Sequence, residues 1–366
     1  MPSRFDLIVI GAGPAGTVTA LEAARLGCGR VLILDQDESP RARVCAGGLS
    51  PRACRVLREL GLWDTVVREA YPIHTVRLVS PHGREVVLTG EPRGVVMDRR
   101  RFDQILVDAA VRAGAEFRPG ARADGLLEEG GRAVGVRCGG DEVSARWVVA
   151  ADGGAGRFSM DERPRRLVQA FMGRFEGVRL SPNRIDLIYD RQLLPHYGWV
   201  FPESDSRANI GVSILPERLR GRSLRDVFEA FVARYCAARL SGATQIGPLR
   251  GRLLLTSVGI RHCAPPGLLV TGEANRLTNI ATGEGILYAM MSGRLAARAI
   301  RKADRRGLNA VQAGRSYATS LRVALQPTFL MAGLYCAGGV RALDGVVALA
   351  RLRPANRLVA SLFARL

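Results

Sequence analysis

The first apolar run of the chain, Phe5 to Ile10, ends in the glycine-rich segment GAGPAG. Residues 17–27 then place apolar side chains at helical spacing and end on Gly27, and residues 30–35 (RVLILD) form a second apolar run. Short unbroken apolar runs are typical of strands buried on both faces. A helical pattern between two such runs therefore predicts a parallel β-α-β unit.

The middle of the chain predicts a return to this sheet and then a different one. Residues 98–115 have the pattern of an amphipathic helix, and residues 125–154 predict a β-meander with glycine-rich turns that ends in a buried strand. From about residue 165 to 255, alternating runs such as RIDLIYD (184–190) and ANIGVSIL (208–215) predict a separate antiparallel sheet with one helix at 223–235.

Beyond the second sheet the pattern becomes mostly helical. Residues 267–274 form one more buried run, and residues 283–303 predict a helix. The uncharged run 323–340 contains Gln326, Pro327 and several glycines, and it is at the short limit for a bilayer span. It predicts a buried or membrane-touching helical hairpin and not a transmembrane helix.

These patterns predict an α/β fold with three parts. A Rossmann-like nucleotide-binding domain is assembled from discontinuous segments, an antiparallel β-sheet domain for substrate is inserted between them, and a helical region follows. The predicted bounds are 1–72, 96–162 and 258–305 for the nucleotide-binding domain, 73–95 and 163–257 for the substrate-binding domain, and 306–366 for the C-terminal helical region.

The composition of the chain indicates its net charge and its cellular compartment. The formal net charge is +19, and Lys302 is the only lysine among the 53 basic residues. The arginine excess reflects either a biased genome or attraction to an acidic partner such as an anionic membrane surface. Without a basic arm or zinc-finger spacing, we expect no nucleic-acid partner. The seven cysteines form no Cys-x-x-Cys pair, so we expect a cytoplasmic protein without a disulfide framework or a metal site.

The glycine-rich segment has the spacing Gly11-x-Gly13-x-x-Gly16. In a dinucleotide site the first glycine allows a tight turn, the second lets the backbone approach a pyrophosphate, and the third lets helix and strand pack closely. Asp35 ends the second predicted strand, where an acid accepts hydrogen bonds from the adenosine ribose. An acid there favours a ribose without a 2′-phosphate, so the site takes FAD or NAD and not NADPH.

Two later segments select FAD. VVAADGG (148–154) and LLVTGEANRLTNIATGEGI (268–286) resemble the Asp-Gly and Gly-Asp motifs of FAD-dependent oxidoreductases related to hydroxybenzoate hydroxylase. The resemblance implies that the acid Glu273 binds near the ribityl chain, that the next helix directs its amino end at the flavin, and that Arg99 lies near the cofactor. Because the chain has one dinucleotide fingerprint, the electron donor, NADPH, NADH or ferredoxin, is expected to bind transiently.

A closer resemblance lies in RVCAGGLSPRA (43–53) and PHYGWVFPESDSRANIGV (195–212). These segments are similar to the Cys-Gly-Gly and Tyr-x-Trp-x-Phe-Pro motifs of the geranylgeranyl reductase family, with matching spacing over residues 4–303. The resemblance implies a flavoprotein that reduces carbon–carbon double bonds in a polyprenyl or other apolar polyunsaturated chain. The residues predicted to contact FAD are Gly11, Gly13, Ala15, Gly16, Asp35, Gln36, Arg43, Ala46, Gly47, Gly48, Arg99, Asp152, Gly153, Glu273, Gly283, Gly285 and Ile286.

Four positions depart from the pattern of that family. Ala46 and Ser213 stand where the family usually has glycine, Glu273 where it has aspartate, and Ile280 where it has proline. Glu273 keeps the charge on a longer side chain, and Ile280 alters the pocket near the flavin face. The departures therefore concern the choice of substrate more than FAD binding.

The chemistry implied by the family needs two hydrogens from two sources. An isolated trisubstituted alkene is not electrophilic, so hydride from reduced flavin N5 requires coupled protonation of the other carbon. Tyr197, Trp199 and Phe201 share strand parity and point to one face, which suits an aromatic wall that also stabilises positive charge. For Phe201 an ordinary core position is equally consistent. We predict Cys45, Tyr197 and Trp199 as catalytic residues, and Tyr197, Trp199, Phe201, Pro202 and Ile280 as substrate contacts.

Alternatives stay open at this point. Cys45 is compatible with a proton donor, a redox group beside the flavin, a gate or a small buried residue. Flavin-dependent halogenases carry a similar aromatic motif, but their chemistry needs a lysine upstream of it, and no lysine precedes Lys302. An FAD-dependent aromatic hydroxylase or monooxygenase, a tailoring oxidoreductase of a natural product, and a non-enzymatic FAD- or lipid-binding protein remain.

The partners expected from this interpretation are an apolar isoprenoid-like small molecule, an electron-donor protein and a membrane surface. The protein is then cytoplasmic, with peripheral contact on the inner face of the membrane.

Overall fold

The computed structural model describes residues 4–40, 43–89, 94–158, 166–338 and 342–365. The predicted boundary at 162/163 and the end of the uncharged run at Val340 lie outside these residues. The strands are β1 (Arg4–Ile10), β2 (Val31–Leu34), β3 (Gly48–Leu49), β4 (Tyr71–Pro72), β5 (Thr75–Val79), β6 (Glu85–Thr89), β7 (Val95–Val96), β8 (Glu116–Arg118), β9 (Ala123–Glu129), β10 (Arg132–Cys138), β11 (Asp141–Ala150), β12 (Arg166–Glu176), β13 (Arg184–Ile188), β14 (Gly198–Pro202), β15 (Arg207–Ile214), β16 (Thr244–Ser257), β17 (Leu268–Val270) and β18 (Thr278–Asn279).

The helices follow the same chain order, and two short 3-10 turns lie at Pro216–Arg218 and Gly272–Asn275. The α-helices are α1 (Pro14–Arg25), α2 (Pro51–Glu59), α3 (Trp63–Val67), α4 (Arg99–Arg112), α5 (Leu224–Tyr235), α6 (Ala237–Leu240), α7 (Ile286–Arg306), α8 (Ala310–Ala337), α9 (Leu343–Ala350) and α10 (Arg353–Arg365).

The first sheet has the order β8-β2-β1-β11-β10-β9, with β17 also paired to β11. Strands β8, β2, β1, β11 and β17 are parallel, and β10 and β9 add an antiparallel meander. Both faces are buried: Leu7 and Val9 pack with helices α1, α4 and α7, while Ile8 and Ile10 pack toward the meander. This two-sided burial explains the continuous apolar runs, and the discontinuous Rossmann-like assembly predicted from the sequence is confirmed.

The second sheet has the order β18-β16-β12-β15-β14-β13-β5-β6. Most neighbours are antiparallel as predicted, but β13 pairs with β5 and β16 pairs with β18 in parallel. Alternation along one strand does not reveal which strand it pairs with or in which direction, and a parallel pair needs a long connection between its strands. One face packs against α5, and the other carries Trp199 toward α9 and α10. The domain bounds themselves stay a prediction.

The helical hairpin predicted for residues 323–340 is wrong. Helix α8 continues through Pro327 to Ala337 as one element. Its buried side chains Leu321, Leu325 and Phe329 keep helical spacing across the proline, so packing holds the helix together where the local sequence favours a break. Among the described residues, no helix combines the length and hydropathy needed to cross a bilayer.

Candidate functional site

A cavity of about 610 Å³, here called the cofactor cavity, lies at the carboxyl ends of the parallel strands. Ile10 ends β1 and lines it, as does Asp35 after β2 and Asp152 after β11. Open parallel sheets bind nucleotides at this edge because the loops that follow the strands converge there. The topology thus brings together residues that are more than a hundred positions apart in the chain.

The glycine fingerprint forms the floor of this cavity. Gly11 has φ +101°, and a Cβ there would lie 2.5 Å from the Ala151 carbonyl oxygen, so only glycine makes this turn. A Cβ on Gly13 would meet no atom of the described chain within 4 Å, so the space in front of it is open to a ligand. Gly13 also precedes α1 without any side-chain cap, which leaves the amide groups of the first turn available to a phosphate.

Two acids face the same cavity. Asp35 accepts hydrogen bonds from the Ala12 amide at 2.6 Å and the Asp37 amide at 2.9 Å, and its carboxylate keeps capacity for ribose hydroxyls. Asp152 accepts from the Arg157 amide at 2.7 Å through Oδ2, but its buried Oδ1 has no hydrogen-bond partner among the described residues. Burial raises the pKa of Asp152. An orphaned acceptor of this kind fits a ligand that brings its own donor.

Arg43 and Arg99 also line this cavity, and each pairs with a different acid. Arg43 lies 3.8 Å from Asp37, and partly buried Arg99 donates to both oxygens of Asp103 at 2.9 and 3.0 Å. Burial opposes the charge on Arg99, but Asp103 and the Cys45 sulfur outweigh it and raise the arginine pKa. A cavity that combines open helix amides, strand-end acids and arginines fits the pyrophosphate, ribose and ribityl groups of FAD.

Glu273 lies in the 3-10 turn after β17 and lines the cofactor cavity. It accepts from the Leu255 amide at 3.1 Å and forms an ion pair with Arg252 of the second sheet. Sequence reasoning missed Arg252, because it belongs to an alternating strand and to no motif. The pair joins the two sheets at the cavity wall, and the longer arm of Glu273 makes this contact.

A second cavity of about 330 Å³, here called the apolar cavity, adjoins the first. Leu88, Val96 and Met172 are among its walls, and the Ala46-Gly47-Gly48 segment lines it as well. Six residues line both cavities and mark the junction between them: Val44, Cys45, Leu254, Gly283, Gly285 and Ile286. The junction therefore contains the predicted cysteine and the glycines at the start of α7.

The aromatic residues form one wall of the apolar cavity. Tyr197, Trp199 and Phe201 all line it, as their shared parity predicts. The Tyr197 hydroxyl donates to the Thr282 carbonyl oxygen at 2.5 Å, and the Trp199 indole donates to Asn209 Oδ1 at 2.8 Å. Burial raises the pKa of Tyr197 well above its ordinary range. Both polar groups are thus used to fix the rings in place.

Cys45 is partly buried at the junction. Its sulfur accepts a hydrogen bond from the Gly47 amide at 3.4 Å and also contacts the Arg99 guanidinium. Arg99 is in turn held by Asp103. The thiol is therefore positioned from the cofactor side by a buried ion pair.

Three predicted residues line neither cavity. Gly16 contributes by packing, since a Cβ there would overlap the Gly11 carbonyl oxygen. Pro202 ends β14 beyond the wall, and Ile280 is buried against Ala332 of α8. Among the other predicted cofactor residues, Ala46, Gly47 and Gly48 line the apolar cavity and not the cofactor cavity. The rest, Ala15, Gln36 and Gly153 included, line the cofactor cavity.

Sequence reasoning also missed one acid. Glu284 lines the apolar cavity, between two glycines that line both cavities. The motif that contains it directs attention to the glycines and the helix start. Lys302, by contrast, is exposed on α7, bonds Ser316 at 3.1 Å and lines neither cavity.

Known proteins agree with this architecture. Residues 4–168 match the family of FAD binding domains. The chain is 34% identical over 316 residues to digeranylgeranylglycerophospholipid reductase 1 of Methanopyrus kandleri, covering 80% of this chain and 79% of that protein. It is 31% identical to digeranylgeranylglycerophospholipid reductase of Methanocella arvoryzae, covering 89% of this chain and 84% of the relative.

Solved structures lead to the same fold. A geranylgeranyl bacteriochlorophyll reductase-like protein of Thermoplasma acidophilum superposes with a TM-score of 0.85 at 25% identity, over 95% of this chain and 91% of that chain. A flavin-dependent brominase superposes with a TM-score of 0.81 at 19% identity, over 98% and 94%, and shares the fold alone. On its sequence, fold and cofactor cavity, the chain belongs to the geranylgeranyl reductase family of FAD-dependent oxidoreductases.

Proposed function

We propose that this protein reduces carbon–carbon double bonds in a polyprenyl or similar apolar polyunsaturated chain. One observation carries the proposal: the cofactor cavity shares Cys45 and the glycines before α7 with an adjoining apolar cavity that has an aromatic wall. The curated relatives are named as reductases of a geranylgeranyl lipid, which supports the same substrate class.

When bound and reduced, FAD supplies a hydride at N5. The chain would hold the cofactor with the open amides of α1, with Asp35 and Asp152, and with the Glu273 and Arg252 pair. Residues of the apolar cavity then exclude water and orient the alkene at the junction.

The aromatic wall has a further task in the reaction. Positive charge develops on an alkene carbon as it takes up a proton, and the faces of Tyr197 and Trp199 attract positive charge. The Thr282 and Asn209 contacts hold these rings so that they need not reorganise during the reaction. Cys45 positions the alkene at the junction and sits between substrate and cofactor.

The source of electrons follows from the single fingerprint. Among the described residues, the cofactor cavity is the one site with the geometry for a dinucleotide, and FAD occupies it when bound. We therefore infer that NADPH, NADH or a ferredoxin-like protein docks only long enough to reduce the flavin. The excess of arginine favours an acidic donor protein or a phosphorylated nicotinamide cofactor over a neutral electron donor.

We further infer that the protein works in the cytoplasm, docked on the inner face of an anionic membrane. Helix α8 carries an exposed apolar stripe at Val323, Pro327, Leu330, Leu334 and Ala337, spaced by four and three residues. This spacing puts the five side chains on one helical face, and a helix of this kind lies in a bilayer interface.

Charge supports a lipid surface as the partner of that stripe. Residues 310–365 contain seven arginines and a single acid, Asp344, which is already bonded to Ser80 and His82. Basic residues beside an apolar face attract anionic lipids.

The protein should sediment with anionic vesicles. Sedimentation should be lost when Val323, Leu330 and Leu334 are replaced by serine. It should be kept in a control variant in which exposed Val111 and Val311 are replaced by serine. Binding by the first variant would contradict this docking.

The reductase proposal is tested with the flavin-loaded protein under anaerobic conditions. Dithionite bleaches the flavin, and a panel of prenyl lipids, prenyl quinones and polyketides is then added while the absorbance is followed. Reoxidation with a product two mass units heavier per bond supports the proposal. Substrate-stimulated oxygen consumption that yields a hydroxylated product would replace it with an aromatic hydroxylase, and no turnover would favour a binding protein.

A further inference from the structure

The apolar cavity contains an acid that the family motif does not explain. Among the described residues that line this cavity, Glu284 is the one carboxylic acid, and the others are mostly apolar. It lies between Gly283 and Gly285, which line both cavities, so its side chain starts at the junction. A carboxyl group in such a place needs a reason, because burying one in apolar surroundings is unfavourable.

The aromatic polar groups of the cavity wall are poor proton sources. The Tyr197 hydroxyl hydrogen is committed to the Thr282 carbonyl oxygen, and the Trp199 indole hydrogen is committed to Asn209. Neither group can give up a proton to an alkene without breaking its own contact. Cys45 lines both cavities, but its sulfur is already held by the Gly47 amide and the Arg99 guanidinium.

The surroundings of Glu284 favour its neutral form. Burial raises its pKa, and this outweighs the opposite effects of a hydrogen bond with Ser50 and the charge of Arg52. The Ser50 hydroxyl accepts from the Ala53 amide at 3.2 Å, so its own hydrogen can reach the carboxyl oxygen. The titratable and charged groups that face Glu284 are Arg52 and Cys54 of α2, Tyr288 of α7 and Tyr197 beside β14.

We propose that Glu284 is the general acid that protonates the alkene, an inference that rests on the proposed function. The carboxyl O–H bond breaks and a C–H bond forms at one alkene carbon, while the hydride of the reduced flavin forms the second C–H bond. The π bond is consumed, the alkene is reduced by two electrons, and the flavin is oxidised. After the product has left the apolar cavity, the Glu284 carboxylate recovers its proton from entering water.

The experiment compares Glu284→Gln with Glu229→Gln, which makes the same change at an exposed helix position. Both variants are loaded with FAD, reduced anaerobically and mixed with the prenyl substrate that reoxidises the flavin of the wild-type enzyme. Because glutamine keeps the shape and the Ser50 contact but has no acidic proton, E284Q should reoxidise about 100-fold more slowly or worse. E229Q should match wild type, and Glu284→Asp should recover part of the rate.

Two further measurements separate acid catalysis from structure. The wild-type reoxidation rate should fall as pH rises through the raised pKa of Glu284, and the E284Q rate should not follow that profile. Infrared spectra of oxidised, substrate-free enzyme should show the carbonyl band of a neutral carboxylic acid near neutral pH, absent in E284Q. This band does not depend on turnover.

Each outcome decides the matter. Equal reoxidation rates for E284Q and wild type, or an infrared spectrum showing Glu284 ionised at neutral pH, overturn the inference while the reductase proposal stands. A large loss in Cys45→Ala together with an unchanged E284Q assigns the proton to the thiol. If none of the prenyl substrates reoxidises the flavin of the wild-type enzyme, the proposed function is refuted and this inference falls with it.

Discussion

Acid should destabilise this protein through a buried histidine. His196 is 1% exposed, and its Nε2 atom has no hydrogen-bond partner among the described residues. Burial lowers the pKa of His196 to about 4. The imidazole is therefore neutral in the native state across the pH range in which an unfolded histidine takes up a proton.

The size of the effect follows from the two pKa values. The unfolded chain binds a proton as pH falls below about 6.5, whereas native His196 does not until about pH 4. Neutral His196 makes its full contribution to the free energy of unfolding above pH 6.5, and this contribution is lost as the pH falls toward 4. Between pH 7.5 and 5 the loss is about 2 kcal/mol, and complete titration approaches about 3 kcal/mol.

Urea unfolding of the flavin-loaded protein at constant free FAD measures this loss at pH 7.5 and 5. Carboxylates also titrate in this window, so the informative quantity is the difference between variants. His196→Leu should lose about 2 kcal/mol less than wild type over the interval, whereas His74→Leu, at an exposed position, should lose as much as wild type. If H196L shows the same pH dependence as wild type, the assignment to His196 is refuted.

Other predictions concern the cofactor cavity and its wall. Gly13→Val should purify without yellow flavin absorbance but with an unchanged apo melting temperature, because the new side chain fills ligand space and meets no protein atom within 4 Å. Arg252→Met breaks the ion pair across the two sheets and should weaken FAD binding about tenfold in a flavin fluorescence titration, while Arg250→Met, exposed on the same strand, should not. Asn209→Leu leaves the Trp199 indole without its acceptor and should cost about 1–3 kcal/mol in urea unfolding.

Local patterns predicted the elements well where burial is simple. Strands buried on both faces, such as β1 and β2, appear in the sequence as unbroken apolar runs. Helix α4 starts with Asp98 as its cap, inside the range that the amphipathic pattern predicts. The error in α8 has the opposite cause, because Pro327 and the glycines signal a break that long-range packing overrides.

The site residues also divide into those that a short motif reveals and those that only long-range contacts reveal. The glycine fingerprint and Asp35 were found because backbone chemistry requires particular residues at fixed spacing. Arg252 escaped notice because its role depends on a contact with Glu273 in another sheet. Glu284 escaped notice for a different reason: its neighbours in space, Ser50 and Arg52, come from the other end of the chain.

What the sequence determined by itself is the family, the FAD cofactor and the order of the elements. These follow from periodicity and from short motifs, in which all the interacting groups lie within a few residues or at fixed intervals. Only the tertiary structure decided that the cofactor cavity adjoins an apolar one at Cys45, and that Glu284 is the one acid among the described residues that line the apolar cavity. The reason is physical: burial, and with it the protonation of a carboxyl group, is set by atoms that chain folding brings together from distant positions.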